Sequence, residues 1–139
     1  MKFLQLCLVV AICAFLYVVI APENKESMIV EYVVDGDTFQ ANGQRVRVWG
    51  IDSPEREEPY YQAATDHLRE LIDKQAIECV FIDQDKYKRA VMRCYFEGDD
   101  ISKTMVRAGM ARDFTRYSDG YYKRAENTAR QESLGIWQK

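Results

Sequence analysis

Histidine is nearly missing: His67 is the only one in 139 residues. A Cys/His zinc site at normal ligand spacing therefore cannot be assembled. A Ser-His-Asp arrangement would rest on that single side chain, which falls in a helical pattern and reads as a surface or half-buried helix residue. An excess of positive charge is missing too. The net charge is −3, so overall charge does not announce a nucleic-acid binder. Internal repeats and low-complexity stretches are absent, and the length leaves room for one domain and little else.

Long apolar runs are confined to one place. Phe3 to Ala21 is a 19-residue stretch whose only strongly polar member is Gln5, preceded by Lys2. That length fits a membrane-spanning helix, which needs about 20 apolar residues, better than a signal-peptide core of about 7–15. Val19 and Ala21 are small enough to precede a cleavage point, although Pro22 would follow it directly. Residues 1–22 are accordingly expected to be an uncleaved anchor or a cleaved signal. Residues 23–139 form the soluble domain. Lys2 before the stretch, and Glu23, Lys25 and Glu26 after it, point the C-terminal domain outward. The expectation is a domain held on the membrane facing the periplasm or exterior, or secreted if the segment is removed.

Charge is divided unevenly along that domain. Glu23–Asp85 carries 6 basic and 15 acidic residues; Lys86–Lys139 carries 12 and 7. One half has carboxylates enough for a cation, the other is basic enough to meet a polyanion, though ordinary solvated faces account for most of these charges.

Met28–Val34 reads as a strand, Asp35-Gly36 as a turn, and Thr38–Ala41 as a short strand. Asn42-Gly43 is a strong hairpin signal, and the chain returns as Gln44–Gly50. In that strand Arg45, Arg47 and Trp49 share one face, with Val46 and Val48 on the other. A helix is expected from Tyr60 to Asp73, with Ala64, Leu68, Leu71 and Ile72 at helical spacing. Strands Ile77–Asp83 and Arg89–Phe96 follow. Asp99 or Asp100 caps a helix over Ile101–Ala108 that Gly109 ends, and a last helix spans Tyr121–Ser133. The pattern is α+β: a five-stranded, OB-type β-barrel with about three α-helices, behind the apolar N-terminal helix.

Without histidine clusters, a hydrolase of this size must rely on carboxylates. Asp37 follows a glycine turn, while Asp52 and Glu55 lie in the loop after the third strand. Pairing of the second and third strands around Asn42-Gly43 brings the ends bearing Asp37 and Asp52 together. Two carboxylates, a loop carbonyl and water make a hard-oxygen site suited to Ca²⁺ or Mg²⁺. A polar turn and a helix cap account for the same residues. Arg47 lies in an alternating strand and Arg89 begins another, and guanidinium groups grip phosphoryl oxygens in bidentate fashion.

Cys79 and Cys94 fall almost opposite each other if their strands turn near Lys86. Opposed residues on antiparallel strands approach bridging distance, and an exported domain meets an oxidising environment, so a disulfide is expected. A register slip of one residue leaves two free thiols instead.

Taken together, Val34-Asp35-Gly36-Asp37-Thr38, Arg47-Val48-Trp49-Gly50-Ile51-Asp52-Ser53-Pro54-Glu55, Asp85-Lys86-Tyr87-Lys88-Arg89 and Gly135-Ile136-Trp137 resemble the staphylococcal nuclease (thermonuclease) family. The resemblance spans about residues 28–138. It implies Ca²⁺-dependent hydrolysis of DNA and RNA to 5′-hydroxyl and 3′-phosphate ends. It further implies that Asp37, Asp52 and the Ser53 carbonyl hold the metal, and that Glu55 positions or deprotonates the attacking water. Arg47 and Arg89 then bind the phosphate and stabilise transition-state charge. Lys86 and Tyr87 look like contacts to a terminal phosphate, and Tyr117, or Phe114 in its place, borders the base site. DNA or RNA is the implied partner, the membrane a second one through residues 3–21, and a monomer is expected.

Three departures from the family pattern stand out. Lys88 replaces the usual glycine of Tyr-Gly-Arg, Ser53 replaces a more usual threonine, and no lysine-rich loop follows Glu55. Lysine takes positive φ less cheaply than glycine, so a differently shaped loop under Arg89 is expected. Competing readings are an inactive OB-type module that only holds nucleic acid or protein, and an anchored domain with an unrelated ligand in its groove.

Overall fold

The computed structural model describes residues 23–139. The apolar stretch expected to be an anchor or signal lies outside the described residues.

Eight strands and four α-helices follow in order: β1 (Glu26–Asp35), β2 (Thr38–Ala41), β3 (Gln44–Val48), β4 (Ile51–Asp52), α1 (Tyr61–Ile72), β5 (Ala76–Gln84), β6 (Ala90–Phe96), β7 (Asp99–Asp100), α2 (Ile101–Arg107), β8 (Arg112–Asp113), α3 (Thr115–Ser118) and α4 (Lys123–Gln131). A 3₁₀ turn at Gly135–Trp137 comes last. The main sheet runs β3-β2-β1-β5-β6-β7, and β3 also pairs with β6. That last pairing is parallel, with Val46 opposite Ala90, Arg47 opposite Val91 and Val48 opposite Met92. It closes five strands into a small OB-like barrel, flanked by three helices of seven residues or more.

Alternation decides what faces inward. Val46 and Val48 are fully or almost fully buried, as are Phe39, Ala41, Met92 and Cys94. Arg47 and Trp49 on the opposite face are only half-buried. α1 lays Ala64, Leu68 and Ile72 against the barrel at helical spacing. Truncating a wholly buried ring such as Phe39 to alanine costs roughly 3–5 kcal/mol. α2 is capped by Asp100, whose side chain accepts from Lys103 N.

The third strand departs from expectation. It ends at Val48 rather than Gly50, because Gly50 turns the chain with φ 78°. A Cβ at that position would lie 2.8 Å from the Tyr122 ring. Ile51 and Asp52 then form the separate strand β4, paired with Asp113 and Arg112 of β8. The last helix is shorter than expected by two residues at each end.

Cys79 and Cys94 face each other in the β5–β6 ladder and form a disulfide across a sequence separation of 15. Closing a loop of that length stabilises the fold by about 3 kcal/mol through the unfolded chain. Intact mass of the unreduced protein should therefore fall two hydrogens short of the fully reduced chain. Two freely alkylated thiols at these positions would count against the bridge.

Candidate active site

The β2–β3 turn at Asn42-Gly43 has φ of 48° and 75°, the left-handed pair that a two-residue hairpin demands. At the other end of the hairpin Thr38 pairs with Arg47, and Val48 N donates to the Asp37 carbonyl at 2.9 Å. The turn at Gly50 and strand β4 bring Asp52 and Ser53 back to the same place. Asp37 is buried there: Oδ2 accepts from Ser53 N at 2.9 Å, and Oδ1 accepts from the Thr38 hydroxyl at 3.2 Å. Gly36 makes this approach possible. A Cβ on it would meet Ser53 Cβ at 2.8 Å and Ala64 Cβ at 2.9 Å.

Arg47 holds the centre. Its Nη1 donates to the Val48 carbonyl and its Nη2 to the Ile51 carbonyl, both at 2.8 Å. The same Nη2 stands 3.3 Å from Asp37 Oδ2 and 3.9 Å from Asp52 Oδ1. One guanidinium thus tethers both carboxylates to the loop between β3 and β4. Burial, then the charge of Asp37, pushes the Asp52 carboxyl above the ordinary aspartate range despite Arg47 and Arg112; Glu58 adds to the push. Burial and Asp37 likewise raise Asp35, whose Oδ1 accepts from Asp37 N at 3.1 Å.

Asp35 and Glu58 are the two carboxylates that the sequence reading left out. The signal for Asp35 was its place two residues before Asp37 across a tight turn. For Glu58 it was the spacing from Glu55, whose backbone N donates to Glu58 Oε2 at 2.8 Å. Glu55 itself is exposed, and its side chain makes no hydrogen bond or ion pair among the described residues.

Arg89 reaches the site from the β5–β6 loop. Its Nε lies 2.7 Å from Asp85 Oδ2, and its Nη1 donates to the Thr38 hydroxyl at 3.4 Å. Thr38 therefore links Arg89 to Asp37 through one oxygen. Asp85 organises the loop: Oδ1 accepts from Tyr87 N and Arg89 N, both at 2.9 Å, and its carbonyl accepts from Lys88 N at 3.0 Å. Lys88 sits at φ 62°, so lysine takes the left-handed conformation that glycine takes more cheaply. The loop keeps that shape at a cost of about 1 kcal/mol.

A cleft of about 660 Å³ opens beside the two arginines, lined among others by Arg47, Arg89, Lys86, Tyr87, Phe114 and Tyr117. Tyr117 and Phe114, the alternatives for one wall, both line it, in edge-to-face contact at 4.9 Å. They belong to α3 and the residue before it, an element absent from the sequence reading. Phe114 N donates to the Gly50 carbonyl at 2.9 Å, and the Ser118 hydroxyl donates to the buried Asp113 carboxylate, which fixes this segment over the cleft. Arg116 lines the cleft as well. Asp37, Asp52, Ser53 and Glu55 are not among the residues lining the cleft; Asp37 and Asp52 adjoin it through Arg47. His67 is a half-buried residue of α1, away from all of these.

Among the described residues, no group of three or more His, Cys, Asp or Glu side chains is arranged to hold a metal. Asp37 and Asp52 offer two carboxylates beside the backbone of Ser53. These are hard oxygen donors without nitrogen or sulfur, and the burial and the Asp37 charge that together raise Asp52 are what a divalent cation would offset. The donor chemistry fits Ca²⁺ or Mg²⁺.

The model of staphylococcal nuclease homologues matches residues 45–139. The chain belongs to that family. Within it, the chain is similar to a protein of Escherichia coli O157:H7 named as an uncharacterized endonuclease. The two are 31% identical over 111 residues, which is 76% of this chain and 72% of that protein. Staphylococcal-like nuclease CAN1 of Arabidopsis thaliana is 34% identical over 98 residues, covering 67% of this chain but 29% of its own length. The SPbeta prophage-derived endonuclease YokF of Bacillus subtilis is 30% identical over 129 residues, 79% of this chain and 43% of its own. Arg47, Asp52, Glu55 and Arg89 fall inside the span matched by the family model, whereas Asp37 precedes it.

The Asp85 loop yields a test. Burial pushes the Asp85 carboxyl up, but hydrogen bonds from the Arg89 backbone and side chain and from Tyr87 N outweigh it, so the group ionises below the usual 3.8. A depressed carboxylate supports the fold fully above the unfolded value, and the support is lost as pH falls through the folded one. Asp85→Asn should lower the melting temperature at pH 7, with the gap to the parent closing well below pH 3.8. Lys88→Gly should leave the domain as stable or up to about 1 kcal/mol more stable, with activity equal or higher. A large loss on Lys88→Gly would mean that the lysine side chain, not the turn, shapes the loop.

Proposed function

We propose that this chain is a Ca²⁺-dependent endonuclease that hydrolyses DNA, RNA or both outside the cytoplasm, leaving 5′-hydroxyl and 3′-phosphate ends. The observation that carries the reading is the convergence of Arg47, from β3, and Arg89, from the β5–β6 loop, on one cleft, with Asp37 and Asp52 beside Arg47. Membership of the nuclease family and the endonuclease names of its relatives support the reaction class.

Phosphodiester hydrolysis needs a polarised phosphorus, an activated water and neutralisation of growing negative charge. Asp37, Asp52 and the Ser53 carbonyl hold the cation, which when bound supplies Lewis-acid polarisation of a phosphoryl oxygen. Glu55, exposed and without an ion-pair partner among the described residues, takes a proton from the attacking water. Arg47 and Arg89 bind the non-bridging phosphate oxygens and meet the charge that builds in the transition state. Arg89 keeps an Nη edge available because Asp85 occupies its Nε. Lys86 and Tyr87, on the same loop, take a terminal phosphate. The apolar side of the cleft, with Tyr117 and Phe114, borders the base.

Separate substitutions test these roles. Asp37→Ala should abolish or sharply weaken metal-dependent cleavage, because so small a cation site has few ligands to spare. Glu55→Gln should cut turnover by roughly 10²–10⁴-fold with substrate binding nearly intact. Arg89→Ala should lower turnover by at least about 10²-fold, and Arg89→Lys should restore little, since a point charge cannot reproduce a two-pronged contact. Parent-like cleavage by both Glu55→Gln and Arg89→Ala, in folded protein, would remove this site from the mechanism.

The proposed location has its own readout. An uncleaved anchor predicts sedimentation with membranes, resistance to high-salt extraction and an N-terminus at Met1 or its formylated form. Soluble extracellular protein beginning near Pro22 or Glu23 would replace the anchor with a cleaved signal.

A further inference from the structure

The outward face of β6 does not end at the cleft. Val91 lines it, and Arg93 and Tyr95 continue on the same face, because Met92 and Cys94 between them point into the core. Alternate residues on a strand lie roughly 7 Å apart, so the three form an even row leading away from Arg89. Trp49, also in the cleft wall, joins this row where its N donates to the Met92 carbonyl at 2.9 Å.

Aromatic rings and cations alternate along the row. The Arg93 guanidinium carbon lies 5.8 Å from the Trp49 ring centre, 4.3 Å from that of Tyr121 and 5.5 Å from that of Tyr95. Lys25 Nζ stands 4.3 Å from the Tyr95 ring centre. Trp49 and Tyr121 meet edge to face at 6.0 Å, and Tyr121 is 57% exposed. Arg93 is fixed at its edges: Nε to Asp100 Oδ2 at 3.0 Å, and Nη2 to the Tyr121 hydroxyl. Asp100 largely offsets its charge, so Arg93 orders the rings more than it attracts phosphate.

We propose that this row is a second nucleic-acid subsite that holds the single strand as it leaves the cleft, by stacking an unpaired base on the exposed Tyr121 ring and seating its neighbour against the half-buried Tyr95. The inference rests on the nuclease reading and deepens it. Stacking on exposed rings is tolerant of sequence and worth a large factor in affinity per base, and it needs bases with free faces. A duplex keeps its bases stacked inside. The row therefore makes the protein favour single strands long enough to reach it, while a dinucleotide fills the cleft alone. Lys25, at the far end, adds one phosphate contact.

The test uses the full chain in detergent, with Tyr121→Ala, Tyr95→Ala, the double variant and Tyr121→Phe, all checked for parent-like melting. Binding of a labelled single strand of about twelve nucleotides, and of the matching duplex, is measured in chelator; cleavage of a dinucleotide is measured with Ca²⁺. Each alanine variant should weaken single-strand binding by about tenfold, the double variant by more, with duplex binding and dinucleotide kcat/KM unchanged. Tyr121→Phe keeps the ring and should match the parent. Lys25→Ala should reduce the salt dependence of single-strand binding by about one ion. Unchanged single-strand binding, equal losses on the dinucleotide, or a Tyr121→Phe loss as large as that of alanine each overturns the subsite and leaves the nuclease reading in place. A parent that neither cuts the dinucleotide nor binds the strand overturns both.

Discussion

The parallel pairing of β3 with β6 is the constraint on which the rest depends. Without it β3 is an edge strand and the barrel is an open sheet. With it, Arg47 is flanked by Thr38 on one side and Val91 on the other, and the loop before β6 delivers Arg89 to the same spot. Only three residue pairs make this closure, so its stability comes from what stands behind it: Val46, Val48, Ala90 and Met92, all buried in one core. Hydrophobic burial on the inner face thereby sets the position of two arginines on the outer one. A shift of one residue in this register would turn the valines outward and bury the guanidinium, a penalty large enough to exclude the alternative.

Electrostatics then fixes what geometry has gathered. Asp37 is buried and would be costly alone, but Ser53 N, the Thr38 hydroxyl and Arg47 surround it. Asp52 ionises above the ordinary aspartate range because burial disfavours its charge and the nearby Asp37 carboxylate adds to the effect. Neither arginine is left to wander. Arg47 is bound to two carbonyls and Arg89 to Asp85, so both guanidinium groups are held in fixed orientations by the protein's own contacts. Pre-positioned donors of this sort need no reorganisation when charge develops, which is where they contribute most.

The sequence showed those parts of the structure that rest on periodicity and local turn chemistry. Strand alternation in Gln44–Val48, the Asn42-Gly43 hairpin, the buried stripe Ala64-Leu68-Ile72 and the cap at Asp100 were all legible, because each is decided within a few residues. The opposition of Cys79 and Cys94 followed from the same hairpin arithmetic. What was hidden depends on distant partners. Strand β4 is two residues long and exists only because β8, some sixty positions later, pairs with it. Helix α3 is too short for a periodic signal and is held by Asp113, Ser118 and the Gly50 carbonyl. The left-handed Lys88 was hidden for a different reason: Asp85 bonds to the backbone around it outweigh an intrinsic preference of about 1 kcal/mol.

The uneven division of charge along the chain takes on meaning in the folded molecule. Asp37, Asp52, Glu55 and Glu58 all come from the acidic half, before residue 86, while Lys86, Arg89 and Arg116 come from the basic half. Barrel closure sets the two side by side: Asp37 and Asp52 stand 3.3 and 3.9 Å from Arg47, and Arg47 lines the cleft with Lys86, Arg89 and Arg116. Arg47 is the exception, a basic residue of the acidic half, and it stands at the boundary touching both. One guanidinium placed there offsets part of the charge of Asp37 and Asp52 at the edge of the cleft.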